Sequence, residues 1–219
     1  TAGIRTLTGS AVFEVKGKRQ VKAALVCGLD SEQNILIGND ETIPADIIAS
    51  SGGWSPVVHL SCHTGIKPDW REDIAAFVPG KTNQKMQTAG AVSGDFSLSA
   101  ALRQGASAAA TILADCGFDL EDSATISCQE HTVGAFQPCF HIPHRKPTSR
   151  SPAQFVDYQL DVTAAAIELA TREGFESIEH VKRYTALGFG TDQGKISNVN
   201  GIAIAARSTG RSIAETGTT

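Results

Sequence analysis

Met86-Gln87-Thr88-Ala89-Gly90-Ala91-Val92-Ser93-Gly94-Asp95-Phe96-Ser97 is the stretch on which the reading of the fold turns. Its first residues form a short run that stops at a glycine, the pattern of a buried strand rather than a surface one. Beyond the loop, Leu98, Leu102, Ala109 and Ile112 recur at helical spacing, with Gly105 on the same stripe. Ser97 or Asp95 supplies an N-cap, and Gly117 a stop. A strand, a glycine loop and a helix in that order set free N–H groups and a positive dipole end beyond the strand, where α/β proteins hold anionic ligands. Gly90 and Gly94 let backbone approach a phosphate or a flat ring; close helix–strand packing accounts for the same glycines.

Upstream, the runs at Ile4–Thr8, Ala11–Val15, Gln20–Val26 and Asn34–Ile37 predict short strands. Asp46-Ile47-Ile48-Ala49-Ser50 predicts a buried strand that ends in Ser51-Gly52-Gly53, and residues 57–85 read as loops with a short helix. From Phe118 to Pro152 the pattern dissolves into Ser, Pro, His and charge, the composition of an irregular arm. Beyond it, Asp161 caps a helix over Val162–Glu173 closed by Gly174, Ile178–Leu187 forms a second closed by Gly188, and a third runs from Ser197 to Ser208 before Gly210. The expected organisation is an α/β region over residues 1–117, an arm at 118–152, a small all-α domain at 153–213 and the start of a linker at 214–219.

The composition narrows the function. The chain has 219 residues, 41% hydrophobic and 19% charged, with a net charge of −4. That supports buried cores and excludes a disordered chain. A sequence pI near 5.8 argues against a nucleic-acid partner, which calls for a clustered basic excess. No window approaches the roughly 18 apolar residues that span a bilayer, and the start, TAGIRTLTG, lacks signal-peptide anatomy, so no membrane association is expected. The five cysteines, at 27, 62, 116, 128 and 139, form no CxxC and predict reduced thiols in a cytoplasmic protein. Cys128-x-x-His131 and Cys139-x-His141-x-x-His144 have zinc-like spacings but lie in the irregular arm, and no metal site is assigned. Cys62 between His59 and His63 lacks an orienting partner and reads as a packed loop.

Two resemblances add to this reading. The run Asp46–Pro56, a hydrophobic stretch ending in Gly-x-x-Pro, resembles the return crossover of two-dinucleotide-domain flavoproteins. Residues 86–117 resemble their last strand, glycine loop and C-terminal helix. More narrowly, Ser51-Gly52-Gly53-Trp54-Ser55-Pro56-Val57-Val58-His59-Leu60, His180-Val181-Lys182-Arg183-Tyr184-Thr185 and Thr191-Asp192-Gln193-Gly194-Lys195, continued through Ser197-Asn198-Val199-Asn200-Gly201, resemble the alpha-subunit family of heterotetrameric sarcosine oxidases. That resemblance covers roughly residues 1–117 and 153–219.

It implies a partial two-dinucleotide-domain flavoprotein fold and a place in a multi-chain oxidoreductase that oxidises N-methyl amino acids. In that family the alpha subunit binds NAD, the amine-oxidising flavin belongs to another chain, and a second flavin lies where the two chains meet. The implied partners are the other subunits of the heterotetramer and a small amine substrate. The dinucleotide contacts it implies here are Gly52, Gly53, Trp54, Gly90, Ala91, Ser93, Gly94, Asp95 and Phe96. No catalytic residue is indicated. No Gly-x-Gly-x-x-Gly follows a strand, so the resemblance implies an internal segment of such a subunit with half a cofactor site.

The helical stretch, through Asp157–Thr163 and Gly190–Ser197, also resembles the small iron–sulfur domain of bacterioferritin-associated ferredoxin. Relatives hold a [2Fe–2S] cluster on four cysteines, and the matching positions here are Asp157, Gln159, Asp192 and Ser197. No cluster is expected, and these short polar side chains are expected to cap backbone N–H groups instead. Subunits of an opine oxidase or an N-methylglutamate dehydrogenase share these parts, and loss of the four cysteines favours the sarcosine oxidase branch. The alternative from another class is a non-catalytic assembly module whose cofactor site has decayed.

Overall fold

A computed structural model describes residues 3–118, 128, 129, 134 and 137–218. The chain forms two compact units, one of residues 1–52 with 139–212, the other of 53–138 with 213–218. The stretch expected to be one α/β region is thus divided between them, and the N-terminal strands share a unit with the helical region.

In the first unit, β1 (Ser10–Gly17), β2 (Val21–Gly28) and β3 (Glu41–Pro44) form an antiparallel sheet in the order β1-β2-β3. Strand β2 is central, so its inward residues are the most buried: Ala23, Ala24, Val26 and Cys27 lie in the core. Gly17 turns the hairpin at φ 142°, and a Cβ there would fall 2.0 Å from the Gln20 carbonyl oxygen, so only glycine fits. The sheet ends where Pro44, which has no N–H to donate, pairs with Ala23.

The helical region begins with a hairpin of β6 (Phe155–Asp157) and β7 (Val162–Thr163), numbered after the second unit's strands β4 (Asp69–Arg71) and β5 (Ala76–Val78). Three helices follow, α3 (Ala164–Arg172), α4 (Ile178–Thr185) and α5 (Asn198–Thr209), numbered after the second unit's α1 (His59–Cys62) and α2 (Leu98–Asp115). Helix α3 packs on both α4 and α5. Ile167, Ile178, Val181, Leu187, Ile202 and Ile204 are at most 4% exposed. Burial of that order contributes roughly 1.5–3 kcal/mol for each large aliphatic side chain. Helix α5 is buried from Gly201 to Ala206, and a Cβ on Gly201 would meet Leu187 Cδ2 at 2.4 Å. The missing side chain lets the helix seat against Leu187.

The first helix of this region starts two residues later than expected. Asp161 is not its cap: Val162 and Thr163 pair with β6, and Thr163 Oγ1 accepts from Ala166 N at 3.2 Å. Asp161 instead turns the hairpin at φ 53°. The second helix ends at Thr185 on the left-handed Ala186, before Gly188.

The second unit holds the β4–β5 hairpin, α1, α2 and α6 (Ile213–Thr216). Trp70 and Phe77 stack edge-on across the hairpin, ring centroids 5.0 Å apart, over a fully buried β5. The 18-residue α2 forms as expected, capped by Ser97, whose Oγ accepts from Ala100 N at 3.2 Å. Its apolar stripe does not pack as expected: Leu98 is 67% exposed, Ile112 48%, and a Cβ on Gly105 would meet nothing within 4 Å. Local factors account for this helix, namely its alanines, its cap and a length beyond the roughly 12–15 residues at which isolated helices become marginal.

Four expected strands are absent. Residues 4–8, 46–50 and 86–89 are extended or irregular chain, and of 34–37 only Ile35 bridges, to Leu29. Asp46–Ser50 leaves the sheet edge after Pro44 with Ile47 83% exposed; an apolar run becomes a strand only where a neighbour accepts its hydrogen bonds. The arm expected at 118–152 falls largely outside the described residues over 119–136. From Cys139 onward it is packed: Gln154 Nε2 donates to the Ile142 carbonyl at 2.8 Å, and Phe13 meets His144 at 5.9 Å. Among the described residues no helix is long and apolar enough to cross a membrane.

Gly201→Val should cost about 1–3 kcal/mol by overpacking against Leu187, read as a lower midpoint in urea denaturation. An unchanged midpoint would contradict the close approach of α5 to Leu187.

Candidate functional site

Two places carry the residues singled out above. The first is the loop before α2. Gly90–Ser93 forms one turn of 3-10 helix, ending on Gly94 in the left-handed region at φ 84°. Gly90 N donates to Gln104 Oε1 at 2.6 Å, and Gln104 Nε2 in turn donates to Asp95 Oδ2. Ser93 Oγ donates to Thr88 Oγ1 at 3.0 Å. A Cβ on Gly94 would lie 2.6 Å from Ile74 Cδ1 and 2.9 Å from Val78 Cγ1, so this glycine serves packing on the β4–β5 hairpin. The loop is held by its own helix, with Ala91 and Phe96 exposed at its surface and no acidic residue in the first turn of α2.

Gly52, Gly53 and Trp54 are not drawn into that hydrogen-bonded loop. All three are exposed, Trp54 at 82%, and a Cβ on Gly53 would meet nothing within 4 Å. What the loop offers a dinucleotide is backbone and the amino end of α2, chemistry that fits an anionic group. An open pocket of about 330 Å³ is lined by Leu7, Val26, Gly28, Leu29, Leu36 and Glu41 among others, all of the first unit. Its polar wall includes Glu41, whose carboxylate already takes two hydrogen bonds from Arg5, both at 2.6 Å.

The second place is the set Asp157, Gln159, Asp192 and Ser197. Asp157 with Ser197, and Gln159 beside them, link the β6–β7 turn to the loop between α4 and α5, while Asp192 bonds within that loop and keeps its buried Oδ1 without a partner. Asp157 Oδ1 accepts from Gln159 N at 2.9 Å and Leu160 N at 3.1 Å. Its Oδ2 accepts from Gly188 N at 2.9 Å and from Ser197 Oγ at 3.4 Å. Gln159 Oε1 accepts from Thr191 N at 2.6 Å and Thr191 Oγ1 at 2.9 Å, and Asp192 Oδ2 from Ile196 N at 3.2 Å. Asp157 is 2% exposed and Ser197 1%. Burial alone would raise the Asp157 pKa, but the N–H groups of Gly188, Leu160 and Gln159 with the Ser197 hydroxyl outweigh it and hold the carboxyl below its ordinary value.

This set does not suit a [2Fe–2S] cluster. It has no thiolate, and both Asp157 carboxylate oxygens and Gln159 Oε1 already accept hydrogen bonds from backbone N–H groups. Among the described residues no group of three or more His, Cys, Asp or Glu is placed to hold a metal ion. Sequence reasoning located these four positions; it missed Thr191 and Gly188 as their partners, which become legible only once the two loops meet.

The fold is shared with that of L-proline dehydrogenase from P. horikoshii, with a TM-score of 0.59 at 19% identity over 94% of this chain and 40% of that one. Residues 151–219 match the family model of the sarcosine oxidase A3 domain. The chain is 38% identical to sarcosine oxidase subunit alpha of Rhizobium meliloti (strain 1021) over 96% of its own length and 22% of that relative. With the same subunit of Corynebacterium sp. (strain P-1) it is 33% identical over 100% of its length and 23% of the relative. The chain is a homologue of sarcosine oxidase alpha subunits, and it spans about a fifth of their length.

Asp157→Asn turns one acceptor into a donor facing N–H groups and should cost about 1–3 kcal/mol near neutral pH. A carboxyl held low in the fold stabilises fully above its unfolded pKa and loses that contribution as pH falls through the folded value. The gap between wild type and variant should therefore narrow below about pH 4, read by denaturation across pH. A gap that stays constant into acid would show that the charge does not matter.

Proposed function

We propose that this chain is the part of a sarcosine-oxidase-type alpha subunit that positions cofactor and neighbouring subunits while the chemistry takes place elsewhere. The observation that carries this reading is alignment across nearly the whole chain, at 38% identity, with a sarcosine oxidase alpha subunit. The parent enzyme oxidises N-methyl amino acids such as sarcosine, with flavin as the group that accepts the electrons. The partners are the other subunits of a heterotetramer and, in the assembled enzyme, a small amine. Free thiols at all five cysteines support a reducing, cytoplasmic setting.

Within this chain the loop Gly90, Ala91, Ser93, Gly94, Asp95 and Phe96 contributes one side of an NAD site. Its role is contact through backbone and the amino end of α2. Gly52, Gly53 and Trp54 contribute from the crossover, where the exposed indole is available to stack on a ring. The Asp157 system acts differently. It holds the A3 helices together without iron, so this domain serves as a support. No acid, base or nucleophile is assigned within this chain.

The chain by itself should neither turn over sarcosine nor bind NAD with micromolar affinity in calorimetry. In the assembled parent enzyme, Ala91→Asp, at an exposed position of the loop, should weaken NAD binding about tenfold or more by repelling the pyrophosphate, which corresponds to about 1.4 kcal/mol. Turnover by the isolated chain would refute the supporting role. An unaltered NAD affinity in the variant enzyme would refute the loop as a contact.

A further inference from the structure

The packed segment after Cys139 is fastened to the helical region by a closed ring of hydrogen bonds around one imidazole. Arg207 of α5 donates from Nη1 to His141 Nδ1 at 3.0 Å and from Nη2 to Glu168 Oε1 of α3 at 3.1 Å. Thr148 Oγ1 donates to the same Glu168 oxygen at 2.9 Å and lies 3.4 Å from His141 Nε2. A guanidinium has no lone pair to offer, so His141 Nδ1 must be the bare nitrogen and the ring's single proton sits on Nε2, towards Thr148. Every member then has a role: Arg207 gives twice, His141 accepts and gives, Thr148 accepts and gives, and Glu168 accepts twice. The ring closes only with a neutral imidazole.

We propose that His141 is a pH-sensitive latch, which when neutral ties residues 139–150 to α3 and α5, and when protonated releases Arg207 and lets that segment open. A proton on Nδ1 sets N–H against N–H and places a second positive charge beside the guanidinium. The charged groups that bear on the ring are Arg207 from α5, which opposes the proton, and Glu168 from α3, which favours it. Within the segment, the Cys139 thiol donates to the His141 carbonyl at 3.6 Å and is kept neutral, since burial raises its pKa. Arg145 is paired with Asp40 beside β3, and His144 Nδ1 accepts from Lys146 N at 3.0 Å.

Burial first, then Arg207, hold the His141 pKa below its ordinary value against the pull of Glu168. A histidine shifted down in the fold contributes stability that is complete above about pH 6.5 and is lost as pH falls below it. Opening is confined to this segment because the cores of the sheet and of the three helices hold no part of the ring. The latch concerns how this stretch is held and stands whether or not the loop before α2 contacts NAD.

The test is hydrogen exchange of the full chain at about pH 7.5 and about pH 5.5, each corrected for the intrinsic exchange rate. Protection of residues 139–150, relative to α3, should fall about threefold or more at the lower pH. His141→Gln, which can still accept from Arg207 and donate to Thr148, should hold the segment equally at both pH values. His144→Gln should keep the wild-type dependence. The proposal is overturned if wild-type protection does not change with pH, if His141→Gln loses protection like the wild type, or if His144→Gln alone abolishes the effect.

Discussion

The Asp157 carboxylate accepts hydrogen bonds from Gln159 N, Leu160 N, Gly188 N and Ser197 Oγ, and the helical region hangs on that convergence. Two of the donors shape the β6–β7 turn, one belongs to the chain leaving α4, and one stands at the start of α5. A single buried charge thereby fixes the relation of three segments that have few apolar residues of their own at those points. Gln159 repeats the device one turn further on by accepting both Thr191 donors, and Asp192 closes the following turn through Ile196 N. Removing the charge would leave N–H groups buried without partners, and that desolvation penalty is larger than the net value of the bonds themselves.

The same positions correspond, in the iron–sulfur domain this region resembles, to the thiolates that hold a cluster. A cluster ties loops together by metal–sulfur bonds; here N–H···O bonds to an ionised carboxylate do so. With no thiolate at these positions, the site lacks the ligands on which a cluster would depend.

The second unit follows a different logic. Its core is small: β5 is buried, Trp70 and Phe77 pack across the hairpin, and Gly94 lets the loop before α2 lie against Ile74 and Val78. Helix α2 then stands on its cap and its composition while Leu98, Ile112 and Leu113 remain exposed.

The features legible in the sequence are those written in local chemistry. Ser97 caps α2, and Gly117, Gly174 and Gly210 follow the ends of α2, α3 and α5, all in the left-handed region. Asp157, Gln159, Asp192 and Ser197 stand out as hydrogen-bonding groups because short polar side chains at turns seek backbone donors. Strands are harder to read: Asp46–Ser50 and Met86–Ala89 carry apolar runs but lack neighbouring strands to bond them, and pairing is a property of the assembled sheet. Likewise the ring of His141, Thr148, Glu168 and Arg207 joins positions up to 66 residues apart. The sequence by itself determined the helices and the Ser97 cap, since these depend on residues within a turn or two of one another. Which strands exist, which surfaces are covered and which donor meets Asp157 were decided by the tertiary structure alone, because each needs a partner that only the folded chain brings within bonding distance.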